Sequence, residues 1–267
     1  MLEYDFMRTA FAAGTVVAIV AGAVGYFLVL RNLAFAGHAL SHVGFAGATG
    51  AVLLGVAPFW GLLIFTIAGG VGMGLLGDQL RGRDIAVGII LSLSLGLGVL
   101  FLHLYTSYAT QATALLFGNV LGVSPESLRD MLVLGVLTLA LLTGIARPLI
   151  FATLDPELAQ AKGVSLRLIA VLFLMIVAVA VAEAVQVVGI LLVFALMVGP
   201  AAAALRCTSR IRTGVALSVV LGVAETCAGI ALAWLTDWPP SFWITLLSAV
   251  VYGLTFVPRR LACAAPG

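Results

Sequence analysis

The sequence predicts an all-α fold, a polytopic bundle of membrane-spanning helices. Two features of composition carry that expectation. Of the 267 residues 63% are apolar and only 9% charged, against about 25% charged in an ordinary globular chain. The mean hydropathy is +1.24. The third feature is length: the apolar residues come in runs of about 17 to 22, enough for a helix to cross a hydrocarbon core and twice what a barrel strand needs.

The runs follow one another along the whole chain, without a separate soluble domain, so residues 1–267 read as a single transmembrane domain. The first, Thr9 to Leu30, is too long for a signal-peptide core, and "MLEYDFMR" before it is acidic rather than basic, so it reads as a retained span. Ala39 to Ala57, Phe59 to Leu76 and Ile85 to Leu104 come next. Met131 to Ala146, Leu168 to Ala184, Val187 to Leu205, Val215 to Leu235 and Phe242 to Val257 complete the set. Tight connections at Pro58 and around "AEAVQ" leave the total between about eight and ten spans, with about nine the best count.

With the N-terminus outside, the inner loops collect Arg31, Arg81, Arg83, Arg147, Lys162, Arg167, Arg206, Arg210, Arg212, Arg259 and Arg260, leaving only Arg8 and Arg129 outside. The excess of basic residues in cytoplasmic loops then orients the bundle, N-terminus outside and C-terminus inside.

Two connections are more than loops. "TSYATQATALLFGNVLGVSPESLRD", residues 106–130, is too apolar for an open loop and is broken by glycines, which fits a short helix or re-entrant piece on the outer side. "LDPELAQAKGVS", residues 154–165, reads as a short capped helix on the cytoplasmic side. Asp155 is its N-cap, Pro156 its first helical position, Glu157 lies in the first turn and Gly163 just past the end. Leu158, Ala159 and Ala161 would suit a knob docking into a groove on another protein. The alternative is a capped surface turn.

Polar residues inside apolar runs mark the candidate functional positions. "FAGHALSHVGFAG" places His38 and His42 four apart, on one face of a helix, where two imidazoles can hold one cation. The competing reading is a pair of polar residues facing a neighbouring helix. Glu183 and Gln186 fall at the expected outer hairpin, where a delivered cation would first meet a pore, and Glu225 lies mid-span beside Cys227. His103 near an outer end reads as an interfacial anchor, and Asp78 and Asp84 as caps or partners of Arg81 and Arg83. Cys207, Cys227 and Cys263 have no paired spacing, which suggests neither a disulfide framework nor a cysteine zinc site. The small net charge of +2 and scattered basic residues argue against nucleic acid as a partner.

Five of these stretches, taken together and in order, resemble the permease subunits of bacterial ATP-driven uptake systems for zinc, manganese and iron. "VLRNLAFAGHALSHVGFAG" is similar to that family's first-to-second span signature, "DIAVGIILSLSLGLGVLF" to its fourth span and "LLFGNVLGVSPESL" to its outer segment. "DPELAQAKGVS" resembles the coupling helix that sits on the ATPase, and "VVGILLVFALMVGPAAAA" the span after the next hairpin. The resemblance implies a permease homodimer in the bacterial cytoplasmic membrane, two ATP-binding-cassette ATPase subunits and an extracytoplasmic metal-binding protein. No cofactor is bound permanently on this reading, and a divalent metal ion is the transported substrate. His42 matches the family pattern, whereas His38 stands where the family commonly carries aspartate. Imidazole suits zinc better than manganese, which places zinc first and manganese or iron next.

Two other classes compete. A secondary transporter could use Glu183 and Glu225 as carriers but would need no coupling helix. A membrane metal enzyme could use HxxxH, yet the chain has only three histidines and neither HExxH nor GxSxG. No GxxxxGK[ST] occurs either, so ATP hydrolysis is expected on a partner.

Overall fold

The computed structural model describes residues 3–76, 83–104, 116 and 118–256. Ten α-helices run through them: α1 Asp5–Leu30, α2 Ala34–Leu53, α3 Pro58–Leu76, α4 Arg83–Leu104, α5 Pro125–Leu154, α6 Pro156–Ala161, α7 Leu166–Val188, α8 Ile190–Cys207, α9 Ile211–Thr236 and α10 Pro240–Leu254. A single 3₁₀ turn, Val120–Gly122, precedes α5. Each of the nine expected apolar segments corresponds mainly to one helix, with several ends displaced, and the short capped segment is α6. Among the described residues six helices, α1, α3, α4, α5, α7 and α9, are long and apolar enough to cross a membrane; α8 and α10 supply shorter apolar stretches.

The core is built around α1 and α7, most of whose apolar residues are buried. Tyr26, Leu28, Phe173, Val177, Val181 and Val185 are all buried. Small residues bring helices into backbone contact, as membrane helices require when lipid is as apolar as the side chains. At the α2–α3 crossing Gly47 and Gly61 face each other, and a Cβ on either would overlap the other's carbonyl. The outer ring is different: Ile85, Ile89, Leu93 and Val99 of α4 and Val133, Val136 and Leu141 of α5 are exposed, as expected of surfaces that face hydrocarbon.

The chain's turns define two ends. At one, α1 stops at Arg31, Asn32 takes a left-handed φ of 56°, and the Leu33 amide closes the turn on Leu28 O at 2.9 Å. Arg31 Nη1 donates to Thr153 Oγ1 at 3.3 Å, and the Arg31 guanidinium lies 5.7 Å from the Phe173 ring centre. The α1–α2 turn is thereby tied to the ends of α5 and α7 that flank α6. α6 carries the caps read from sequence. Asp155 Oδ1 accepts from the Leu158 amide at 2.9 Å, and Gly163 has φ 83°. Val164 N–H reaches Ala159 O while Gly163 N–H reaches Gln160 O, both at 3.0 Å, closing a Schellman end. Ala159 is fully buried, whereas Glu157, Leu158, Gln160 and Ala161 are exposed.

Three boundaries depart from the sequence reading. The second helix ends at Leu53 rather than Ala57, because Gly55 turns the chain with φ 71°. The outer segment shows only its 3₁₀ turn and the Ser124 cap of α5, Ser124 Oγ accepting from Ser127 N at 3.1 Å; residues 105–115 and 117 lie outside the described residues, as do Asp78 and Arg81. The third is the hairpin expected at "AEAVQ". α7 continues through it to Val188, and the break comes at Gly189, where φ 79° and ψ 164° suit only a residue without a side chain.

Candidate functional site

α2 places His38 and His42 in its second and third turns, about 6 to 12 Å of helical rise from its start near the α1–α2 turn. Both lie at the end of the bundle that carries α6. The i, i+4 spacing brings their rings to 4.8 Å between centres at an interplanar angle of 82°. Ser41, between them in sequence, donates its hydroxyl to His38 O at 2.7 Å. On the other side the Phe194 ring of α8 stands 5.3 Å from His38 at 76°. The histidines are half-buried, and His38 Nδ1 is buried with no hydrogen-bond partner. A buried ring nitrogen left without a donor or acceptor is costly unless something else occupies it.

The adjacency expected from sequence is therefore real. Phe194, which sequence reading did not single out, completes the surroundings; the only signal for it was an aromatic residue inside "VVGILLVFALMVGPAAAA".

The acidic candidates sit elsewhere. Glu183 is not in an outer hairpin but inside α7, 0% exposed, with neither carboxyl oxygen hydrogen-bonded. Its room comes from α5: a Cβ on Gly135 would stand 3.0 Å from Glu183 Oε1, beside Val20 and Val16 of α1. Gln186, one turn on, is half-buried in the same helix. Glu225 of α9 is 3% exposed, next to Thr226, whose hydroxyl is also unpartnered. Cys227 Sγ lies 3.7 Å from Thr15 Oγ1 of α1. No hydrogen bond or ring contact among the described residues links Glu183, Gln186 or Glu225 to the histidines. His103 is exposed near the end of α4, and Asp84 occupies that helix's first turn. Among the described residues no group of three or more histidine, cysteine, aspartate or glutamate side chains is placed to hold one metal ion. The histidines are thus two adjacent imidazoles without a third such group beside them among the described residues.

The ABC 3 transport family matches residues 3–258. The chain is 30% identical over 257 residues to the manganese transport system membrane protein MntC of Halalkalibacterium halodurans, covering 96% of this chain and 88% of that protein. It is 28% identical over 255 residues to the manganese import system permease protein ScaB of Streptococcus gordonii, covering 95% and 91%. Among solved structures, PsaBC from Streptococcus pneumoniae in complex with Fab superposes with a TM-score of 0.85 at 26% identity, over 96% of this chain and 92% of that one. These matches run the length of the bundle and leave no place for the enzyme or secondary-transporter alternatives. The chain belongs to the ABC 3 transport family, as a multi-pass permease subunit of an ABC transporter and a transport component rather than an enzyme.

Proposed function

We propose that this chain carries a divalent transition-metal ion into the bacterial cytoplasm, with manganese as the principal ion. The names of the full-length relatives MntC and ScaB support manganese; the ordering that sequence alone suggested, zinc before manganese, does not have that support. Zinc remains a second reading on one specific observation: the ligand pair is two imidazoles, His38 and His42, with no carboxylate between them.

The pair is the observation that carries the ion-conduit reading, whichever of the two ions passes. Two imidazoles hold an ion too weakly for a resident site, since a closed zinc site takes four ligands. A second copy of the chain related by two-fold symmetry would bring a second pair. A conduit has to release what it binds, so a site assembled from two half-sites suits transport. The expected assembly is a permease homodimer with two ATPase subunits and an extracytoplasmic metal-binding protein, in the cytoplasmic membrane. About nine helices span, the N-terminus lies outside and the C-terminus inside. α6 then faces the ATPases and, through exposed Leu158 and Ala161, transmits their closure to the bundle by alternating access. Asp155, Pro156, Glu157 and Gly163 hold that helix in shape.

The test is uptake of radioactive manganese and zinc by the reconstituted complex, comparing the parent with the double variant His38→Gln, His42→Gln. Glutamine keeps polarity and approximate size while removing imidazole coordination. Uptake of both ions falls at least about tenfold, the effect of losing roughly 1.4 kcal/mol of ion binding, and ATPase assembly is unchanged. Parental uptake by the double variant would return the pair to a packing role.

A further inference from the structure

α8 passes the histidine pair at the turn where its own hydrogen bonding is weakest. Pro200 lies inside the helix and has no N–H, so the Leu196 carbonyl lacks its usual i+4 donor. The carbonyl just before it is held from another helix. Buried Ser248 of α10 donates its hydroxyl to the Ala195 carbonyl at 3.1 Å. Gly199 makes that approach possible, because a Cβ there would overlap Ser248 Oγ.

The residue before Ala195 is Phe194, whose ring lies against His38.

From this geometry we propose that Ser248 is a positioning residue: it holds the Ala195 turn of α8 so that Phe194 stays over His38 and limits access to the histidine pair. What that access serves rests on the transport reading above; the cover itself does not.

The experiment reads the cover directly. The purified full-length chain is treated with diethyl pyrocarbonate, and modification of His38 is measured by mass spectrometry relative to exposed His103 as an internal reference. Phe194→Ala raises the His38 to His103 ratio. Ser248→Ala raises it about fivefold, the change that loss of one net hydrogen bond of about 1 kcal/mol permits. Gly199→Ala, which displaces the serine without removing it, acts the same way, so the outcome survives if one variant fails to fold. An unchanged ratio in Phe194→Ala overturns the cover. An unchanged ratio in folded Ser248→Ala or Gly199→Ala overturns the positioning. Parental uptake by the His38, His42 double variant would remove the transport reading without moving any of these ratios, so the two fail separately.

Discussion

At Glu183 a carboxyl sits in the middle of a helix interface, against Val16, Val20 and Gly135, with no donor for either oxygen. A buried polar group without a partner costs about 1 to 3 kcal/mol, and an apolar side chain of similar shape removes that cost. Glu183→Met therefore raises the thermal midpoint of the purified protein, by the equivalent of about 1 to 3 kcal/mol. Gly135→Ala lowers it, because the new Cβ presses on the carboxyl at 3.0 Å. Retained uptake in Glu183→Met would assign this carboxyl to packing; lost uptake in the stabilised variant would place it on the ion's route. A midpoint that falls in Glu183→Met would mean the carboxyl has a partner. That Glu183 stands in an apolar run was legible in the sequence; the glycine on another helix that admits it was not, since the two are brought together only by the packing of α5 on α7.

α6 is the element whose sequence and structure agree most closely, and for a local reason. Its caps are contacts between residues three to five apart, so composition alone specifies them: Asp155 for the Leu158 amide, Gly163 for the left-handed residue that closes the end. Asp155→Ala removes one cap, worth about 1 kcal/mol, and speeds amide exchange at Leu158 about fivefold by hydrogen-exchange mass spectrometry. Unchanged exchange there would show that neighbouring contacts, not the cap, hold the helix. Replacing exposed Leu158 and Ala161 together by aspartate leaves the membrane fold intact but abolishes copurification of the ATPase subunit. Copurification at the parental level would remove α6 from the docking surface. The α7 hairpin shows the opposite case. Polar Glu183 and Gln186 imitate a loop in the sequence, yet α7 runs through them and turns only at Gly189, because burial against α1 and α5 outweighs the polarity of two side chains.

For the molecule as a whole, the orientation proposed from the basic residues has the N-terminus and α6 on opposite sides of the bilayer. With Cys207, Cys227 and Cys263 replaced, single cysteines introduced at Tyr4 and Ala161 react with an impermeant thiol reagent from opposite faces in sealed vesicles; labelling from the same face would require one helix fewer or one more to cross. Composition and apolar run length determined that this is a helical membrane bundle, because a 30 Å hydrocarbon core admits few other solutions for such a chain. Spacing determined the His38–His42 adjacency and the shape of α6, because both lie within a few residues of each other on one helix. Tertiary structure decided which polar residues meet. It buried Glu183 beneath Gly135, ran Ser248 up to the turn of α8, and laid Phe194 on His38. Those contacts join residues tens to more than a hundred positions apart, and their partners are glycines, a serine and a backbone carbonyl, groups whose role is set by how closely two helices approach rather than by any pattern along one of them.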